Sequence, residues 1–209
     1  FRRVLFRSVR AVRTRELTRA AMSDLLGGVD PRGHAIADAT DAALLGALAI
    51  AGREDAERWG AERARVAFVA MGRYGGRECS YASDADVIAL HEAVGGASDS
   101  EAAASATAIV NRVKKLLGSA TSQLGIVVDL DLRPEGKNGP MSRTIASHEE
   151  YAQRWASTWE RQAAVRARPI GDGELAQAAR SLFESMAYRD VSEAEVRDIR
   201  LLKARMENE

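Results

Sequence analysis

An α+β fold is what this sequence predicts: a small mixed sheet with helices packed on it, flanked by helical segments. Two observations carry that expectation. The patterns run helices, strand, loop, strand, helix, strand, then helices, an order that suits an α+β core. The third strand segment, "GIVVDLDLR" (125–133), alternates strictly, with Val128, Leu130 and Leu132 on one face and Asp129, Asp131 and Arg133 on the other.

Residues 9–26 read as a helix ending at Gly27-Gly28. A second helix is expected over 33–51, with Ile36, Ala43, Ala47 and Ile50 at helical spacing, and a short charged helix over 56–63. The runs "RVAFVAM" (65–71) and "DADVIALHE" (84–92) read as strands, with Gly95 to Ser98 as a loop. An amphipathic helix follows over 100–117, with Ala102, Ala106, Ile109, Val113 and Leu116 as its stripe and Gly118 closing it. "PEGKNGP" is turn-rich, and everything from Ile145 onward reads as helix, broken near 169–173.

The composition sets bounds. The chain has 209 residues, 46% hydrophobic and 29% charged, with 30 basic and 30 acidic residues. This is the profile of a soluble globular protein, and zero net charge argues against a broad electrostatic footprint for duplex DNA or an anionic membrane. One cysteine, Cys79, excludes an intramolecular disulfide and suits a reducing cytoplasm. His34, His91 and His148 lack metal-ligand spacing, and no apolar run approaches the roughly 20 residues that cross a bilayer. The opening "FRRVLFRS" lacks the layout of a secretory signal and reads as a non-native or disordered terminus. The closing helix opens with a capping box, Ser192 and Glu195, and carries a Val196, Ile199, Leu202 and Met206 stripe with no stop signal. The chain therefore reads as a fragment of a longer protein.

The chemistry concentrates in "MGRYGGRECSYASDADVIAL" (71–90). Asp84 and Asp86 are two apart and share a face on a strand. Two carboxylates there repel and lose solvation, and Mg²⁺, which takes a few carboxylate oxygens plus substrate phosphates, compensates them most simply. A third carboxylate from the alternating strand, Asp129 or Asp131, would complete a cage holding two ions about 3.5–4 Å apart. The paired glycines Gly75 and Gly76 permit close backbone approach to phosphate oxygens. Tyr151, Trp155 and Trp159 recur every four residues as a packing stripe, and Arg161, Arg166 and Arg168 read as a salt-bridged helix face.

"MGRYGGRECSYASDADV" resembles the signature of the polymerase-β-like nucleotidyltransferase superfamily. More narrowly it is similar to glutamine synthetase adenylyltransferases, including their actinobacterial members. "VDLDLRPEGKNGP" (128–140) resembles their third-carboxylate strand, and "STWERQAAVRARPIGDGEL" (157–175) the segment that follows. The wording is nearer the C-terminal, adenylylating copy. The resemblance implies a nucleotidyltransferase domain over 64–175, a helical linker over 9–63 and the start of a regulatory helical bundle over 176–209. It implies metal ligation by Asp84, Asp86 and Asp129, with Asp131 as the alternative, and nucleotide contacts from Gly75, Gly76, Ser83 and Arg133. It implies two Mg²⁺ ions, ATP as substrate, glutamine synthetase as protein substrate and a PII signal protein as a further partner, with no nucleic acid and no membrane. Rival readings are the phosphorolytic AMP-removing copy, a uridylyltransferase, and a catalytically silent nucleotide-sensing module.

Overall fold

The computed structural model describes residues 2–27, 32–118 and 125–207. Its sheet grows around two long antiparallel strands, β1 (Ala64–Ala70) and β2 (Ala85–Ala93), in register from Ala64↔Ala93 to Ala70↔Val87. Outside β1 lies β5 (Arg168–Pro169), antiparallel. Outside β2 lie β3 (Val128–Asp129) and β4 (Ser142–Arg143), both parallel to it. This is the small mixed sheet with helices that the sequence predicts.

Both faces of the sheet are covered, which is why β1 and β2 read as apolar runs. On one face Val66, Phe68, Ala70, Val87 and Ala89 pack with α2 (Arg32–Trp59) and α4 (Asp99–Leu117). On the other, Val69, Met71, Ile88 and Leu90 pack with α6 (Thr158–Ala164) and α7 (Glu174–Tyr188). Burying Phe68, 2% exposed, is worth about 2–3 kcal/mol by area transfer. α4 starts where its capping box dictates: Ser98 Oγ accepts from the Glu101 N–H, and the Glu101 carboxylate accepts from the Ser98 N–H. It ends at Gly118, whose N–H reaches the Lys114 carbonyl. α8 (Glu193–Glu207) opens with the expected Ser192–Glu195 box.

Four expectations need correction. α1 runs from Arg2 to Leu25, so the helix starts before Val9, its expected beginning; Gly28 lies outside the described residues. The two helices expected over 33–63 are one, α2, which passes through Gly52. An interior glycine costs about 1 kcal/mol, and tertiary contacts beyond it offset that: Arg112 grips Glu54 at 2.6 and 3.1 Å, and the Ser105 hydroxyl donates to buried Asp55. By length and composition α2 could cross a membrane, yet half of its apolar window is buried inside the protein, as befits a core helix. The third strand keeps only two residues. The Asp131 N–H donates to Asp129 Oδ1 at 2.7 Å, which bends the chain out of extension, and Pro134 follows with no N–H for a ladder. Finally, the region after Ile145 is not all helix. Trp155 caps α5 (Ile145–Arg154) and is 73% exposed, while Trp159 lies on α6 at 41%, so no aromatic stripe forms.

His148 of α5 is 2% exposed and stacks obliquely on Phe183 at 5.2 Å. Burial, helped by the Arg143 charge, pushes its pKa down to about 4. The unfolded imidazole takes a proton near pH 6.5 while the folded one does not. Stability from neutral burial is therefore complete above pH 6.5 and is lost as pH falls toward 4. His148→Leu is expected to flatten the pH dependence of urea unfolding between pH 7 and 4, removing about 3 kcal/mol of the difference between those two pH values.

Candidate active site

The site is built where β1 ends and β2 begins. The Met71 N–H donates to the Asp86 carbonyl at 2.9 Å, closing the β1–β2 ladder. The chain then turns through α3 (Gly72–Gly75). Gly72 has φ +54°, and a Cβ there would lie 3.2 Å from Asp86 Oδ2; the turn backbone is pressed against the carboxylate. Gly75 is buried more tightly: a Cβ would overlap the Arg166 carbonyl oxygen and lie 2.6 Å from that of Ala70. Gly76 is exposed, with an ordinary φ of −75°.

Asp86 alternates with Val87 and shares the face of Ile88 and Leu90. Its register partner on β3 is Asp129, and the Ala85 N–H to Val127 carbonyl bond, 2.8 Å, extends the pairing. Asp84 stands exposed just before the strand. Burial, then the charges of Asp129 and Asp84, raise the Asp86 pKa; Arg73 partly opposes them. The three aspartates thus form one electrostatic unit short of positive charge.

Among the described residues no three carboxylate, imidazole or thiol groups converge into a ready-made metal cage. An open set of carboxylates still fits Mg²⁺, which keeps waters and takes substrate phosphates as ligands rather than demanding an all-protein shell. The half-buried, charge-crowded Asp86 carboxyl is the observation that supports the fit.

The remaining predicted residues divide. Ser83 sits in the turn before Asp84, where its Oγ accepts from the Ser80 N–H at 2.8 Å and from Arg73 Nη2 at 3.3 Å. Asp131 does not run parallel to Asp129. It leaves the strand and pairs with Lys137 at 3.2 Å and Arg133 at 3.7 Å. Arg133 holds the loop together, donating to the carbonyls of Leu130, Gly139 and Lys137 at 2.9, 3.2 and 3.2 Å. These donations fix the backbone of the loop that follows β3. The expected arginine face is also dispersed: Arg161 on α6 pairs with Glu195, Arg166 in the following turn with Glu78, and Arg168 on β5 with Asp41. Cys79 is a buried core residue.

One cation near the carboxylates escaped the sequence reading. Arg73 lies inside the glycine turn, is exposed, and acts on Asp86 and Ser83. Its position between two glycine positions was the available signal.

Residues 2–182 match the family model for glutamate-ammonia ligase adenylyltransferase. The chain is 39% identical over 97% of its length to a Streptomyces coelicolor protein named bifunctional glutamine synthetase adenylyltransferase/adenylyl-removing enzyme, of which the match covers 22%. Proteins of the same name from Bifidobacterium longum and Mycobacterium tuberculosis are 43% and 39% identical over 97% and 96% of the chain, with 20% and 21% of their own lengths covered. The chain spans about a fifth of the length of the curated relatives it matches.

Three outcomes follow from this geometry. Asp86→Asn removes the most crowded charge, so it is expected to raise the melting temperature at pH 7 without added metal, and the gain should shrink toward pH 4 as wild-type Asp86 takes up a proton. Gly75→Ala is expected to cost at least about 2 kcal/mol in urea unfolding through backbone overlap. Gly76→Ala, whose Cβ would press only on the movable end of Arg166 at 3.3 Å and meet Glu78 and the Gly72 carbonyl at an ordinary 3.5 Å, should stay within about 1 kcal/mol of wild type.

Proposed function

The chain belongs to the glutamate-ammonia ligase adenylyltransferase family, and from that premise we propose that it is a nucleotidyl-transfer domain moving AMP from ATP to a tyrosine hydroxyl of glutamine synthetase. The observation that carries this reading is the register of Asp86 with Asp129 beside a glycine turn that touches Asp86. Carboxylates crowded next to a backbone able to approach phosphate are what in-line phosphoryl transfer requires.

In this reading the exposed Gly76 and the turn around it receive the triphosphate, and Arg73 offsets negative charge on it. The tyrosine oxygen forms a bond to the α-phosphorus, the bond to the pyrophosphate oxygen breaks, and pyrophosphate leaves. The phenolic proton passes to a base, and Asp129 is the carboxylate we assign to that role. Asp84, Asp86 and Asp129 would hold two Mg²⁺ ions, which supply Lewis-acid neutralisation of the phosphoryl oxygens when bound. Arg133 acts through the loop it braces. The setting is the cytoplasm, with a PII signal protein acting through parts of the longer enzyme.

The adenylyl-removing activity in the relatives' name supplies a second reading, in which phosphate attacks the adenylylated tyrosine and releases ADP. Incubation with α-phosphate-labelled ATP, Mg²⁺ and glutamine synthetase separates the two. Label on glutamine synthetase, reduced at least about 100-fold in Asp84→Asn/Asp86→Asn, is the expected result. A folded wild-type chain that labels nothing and matches the double mutant would overturn the proposal. Release of ADP from adenylylated glutamine synthetase and phosphate would favour the second reading instead.

A further inference from the structure

The glycine turn meets the aspartates on one side; its other side rests on residues remote in sequence. Tyr74, inside the turn, is 1% exposed, and its hydroxyl donates to Asp41 Oδ1 of α2 at 2.5 Å. Arg168 of β5 grips the same carboxylate with two nitrogens, at 2.6 and 3.0 Å, across 127 residues of sequence. The same guanidinium donates to the turn itself, to the Gly75 carbonyl at 3.3 Å and the Tyr74 carbonyl at 3.5 Å, and lies over the Tyr74 ring at 5.5 Å.

The contact continues along the chain toward Asp84. A Cβ on Gly33 of α2 would lie 2.5 Å from the Arg77 carbonyl oxygen, so the helix and this loop touch backbone to backbone. Arg77 pairs with Asp38 at 2.8 Å, and the Tyr81 hydroxyl donates to Asp24 of α1 at 2.9 Å. The stretch 74–81, which links the glycines to the aspartates, therefore leans at several points on the α1–α2 hairpin, two consecutive helices packed against each other. The hairpin lies outside the span expected to form the catalytic domain.

Resting on the nucleotidyl-transfer reading above, we infer that Asp41, Arg168 and Tyr74 are positioning residues: a clamp through which the α1–α2 hairpin sets the pose of the phosphate-side turn and thereby its grip on nucleotide. None of the three touches the aspartates, so their effect on nucleotide passes through the backbone of Tyr74 and Gly75. A bidentate arginine–carboxylate pair with low exposure on both sides, 18% and 17%, holds its geometry far better than an exposed ion pair. Gly75 cannot slide, because Arg166 and Ala70 backbone oxygens stand against it. Movement of α2 relative to β5 must then either break the pair or carry the turn with it. The hairpin becomes a handle by which neighbouring parts of a longer enzyme can tune the site.

The test uses the 209-residue chain with two readouts: amide hydrogen exchange without nucleotide, and the Kd for Mg-ATP by calorimetry. In Asp41→Asn, the amides of Gly75, Gly76 and Glu78, which donate to the carbonyls of Met71, Gly72 and Arg73, should exchange about tenfold faster, a loss of the order of one charge-assisted hydrogen bond. The β1–β2 ladder should keep its protection, and the Kd should rise by about the same factor. Asp41→Glu should recover part of both. Tyr74→Phe, which removes one hydroxyl and leaves the ion pair, should move both readouts the same way by about threefold. Unchanged exchange and Kd in Asp41→Asn and Tyr74→Phe would overturn the inference, as would protection lost evenly over β1, β2 and the turn. Wild-type chain that binds no Mg-ATP would defeat the nucleotidyl-transfer reading instead, and the exchange data alone would then decide whether the clamp exists.

Discussion

The antiparallel pairing of β1 with β2, buried on both faces, is the constraint on which the rest of this structure depends. A strand pair covered by α2 and α4 on one side and by α6 and α7 on the other has no room for charge along its middle. Only its ends are free. Polar chemistry is therefore driven to the point where β1 turns into the glycine stretch and β2 begins, and Asp84 and Asp86 stand there. The parallel addition of β3 brings Asp129 to the same end because Asp86 and Asp129 share register. Had β3 been one residue out of register, alternation would have turned the Asp129 carboxylate to the other face.

Crowding these carboxylates carries an energetic cost that the sheet alone does not offset. Asp86 loses solvation and faces two like charges, with Arg73 as its favourable neighbour. Structures tolerate such arrangements where a ligand supplies the missing charge. This is why the electrostatics and the family membership lead in one direction although they are independent. The glycines complete the argument sterically. Gly72 lets the backbone reach the carboxylate, Gly75 lets the turn wedge between two carbonyls, and Gly76 alone is left open to solvent.

Much of this was legible in the sequence, and the failures share a cause. Apolar runs, alternation and capping boxes act over a few residues, so β1, β2, α4 and the opening of α8 could be read directly. The continuity of α2 could not, because Glu54 and Asp55 are held by Arg112 and Ser105 more than 45 residues away. Strict alternation overstated β3, since an aspartate side chain captured the Asp131 N–H and a local turn outcompeted the ladder. That bend also separates Asp129, in register with Asp86, from Asp131, tied to Lys137 and Arg133. Two-residue strands such as β5 carry no periodicity at all, so Arg168 was assigned to a helix face.

The misassignment of Arg168 is instructive about the division of labour in the fold. An arginine on a helix face would serve solubility; an arginine on β5 sits beside β1 just behind the glycine turn. From there a planar guanidinium can bind a carboxylate with two nitrogens and still reach a carbonyl with its third. Lysine, a point charge on a flexible stem, has no rigid fork with which to hold both oxygens of Asp41 and the Gly75 carbonyl together. The glycine turn beside the aspartates and helix α2 are thus joined in part through one side chain, whose shape as well as its charge makes the connection. Domain boundaries drawn from motif spacing alone would separate α2 from the glycine turn it contacts. The contacts that hold that turn include Asp41, and hence α2.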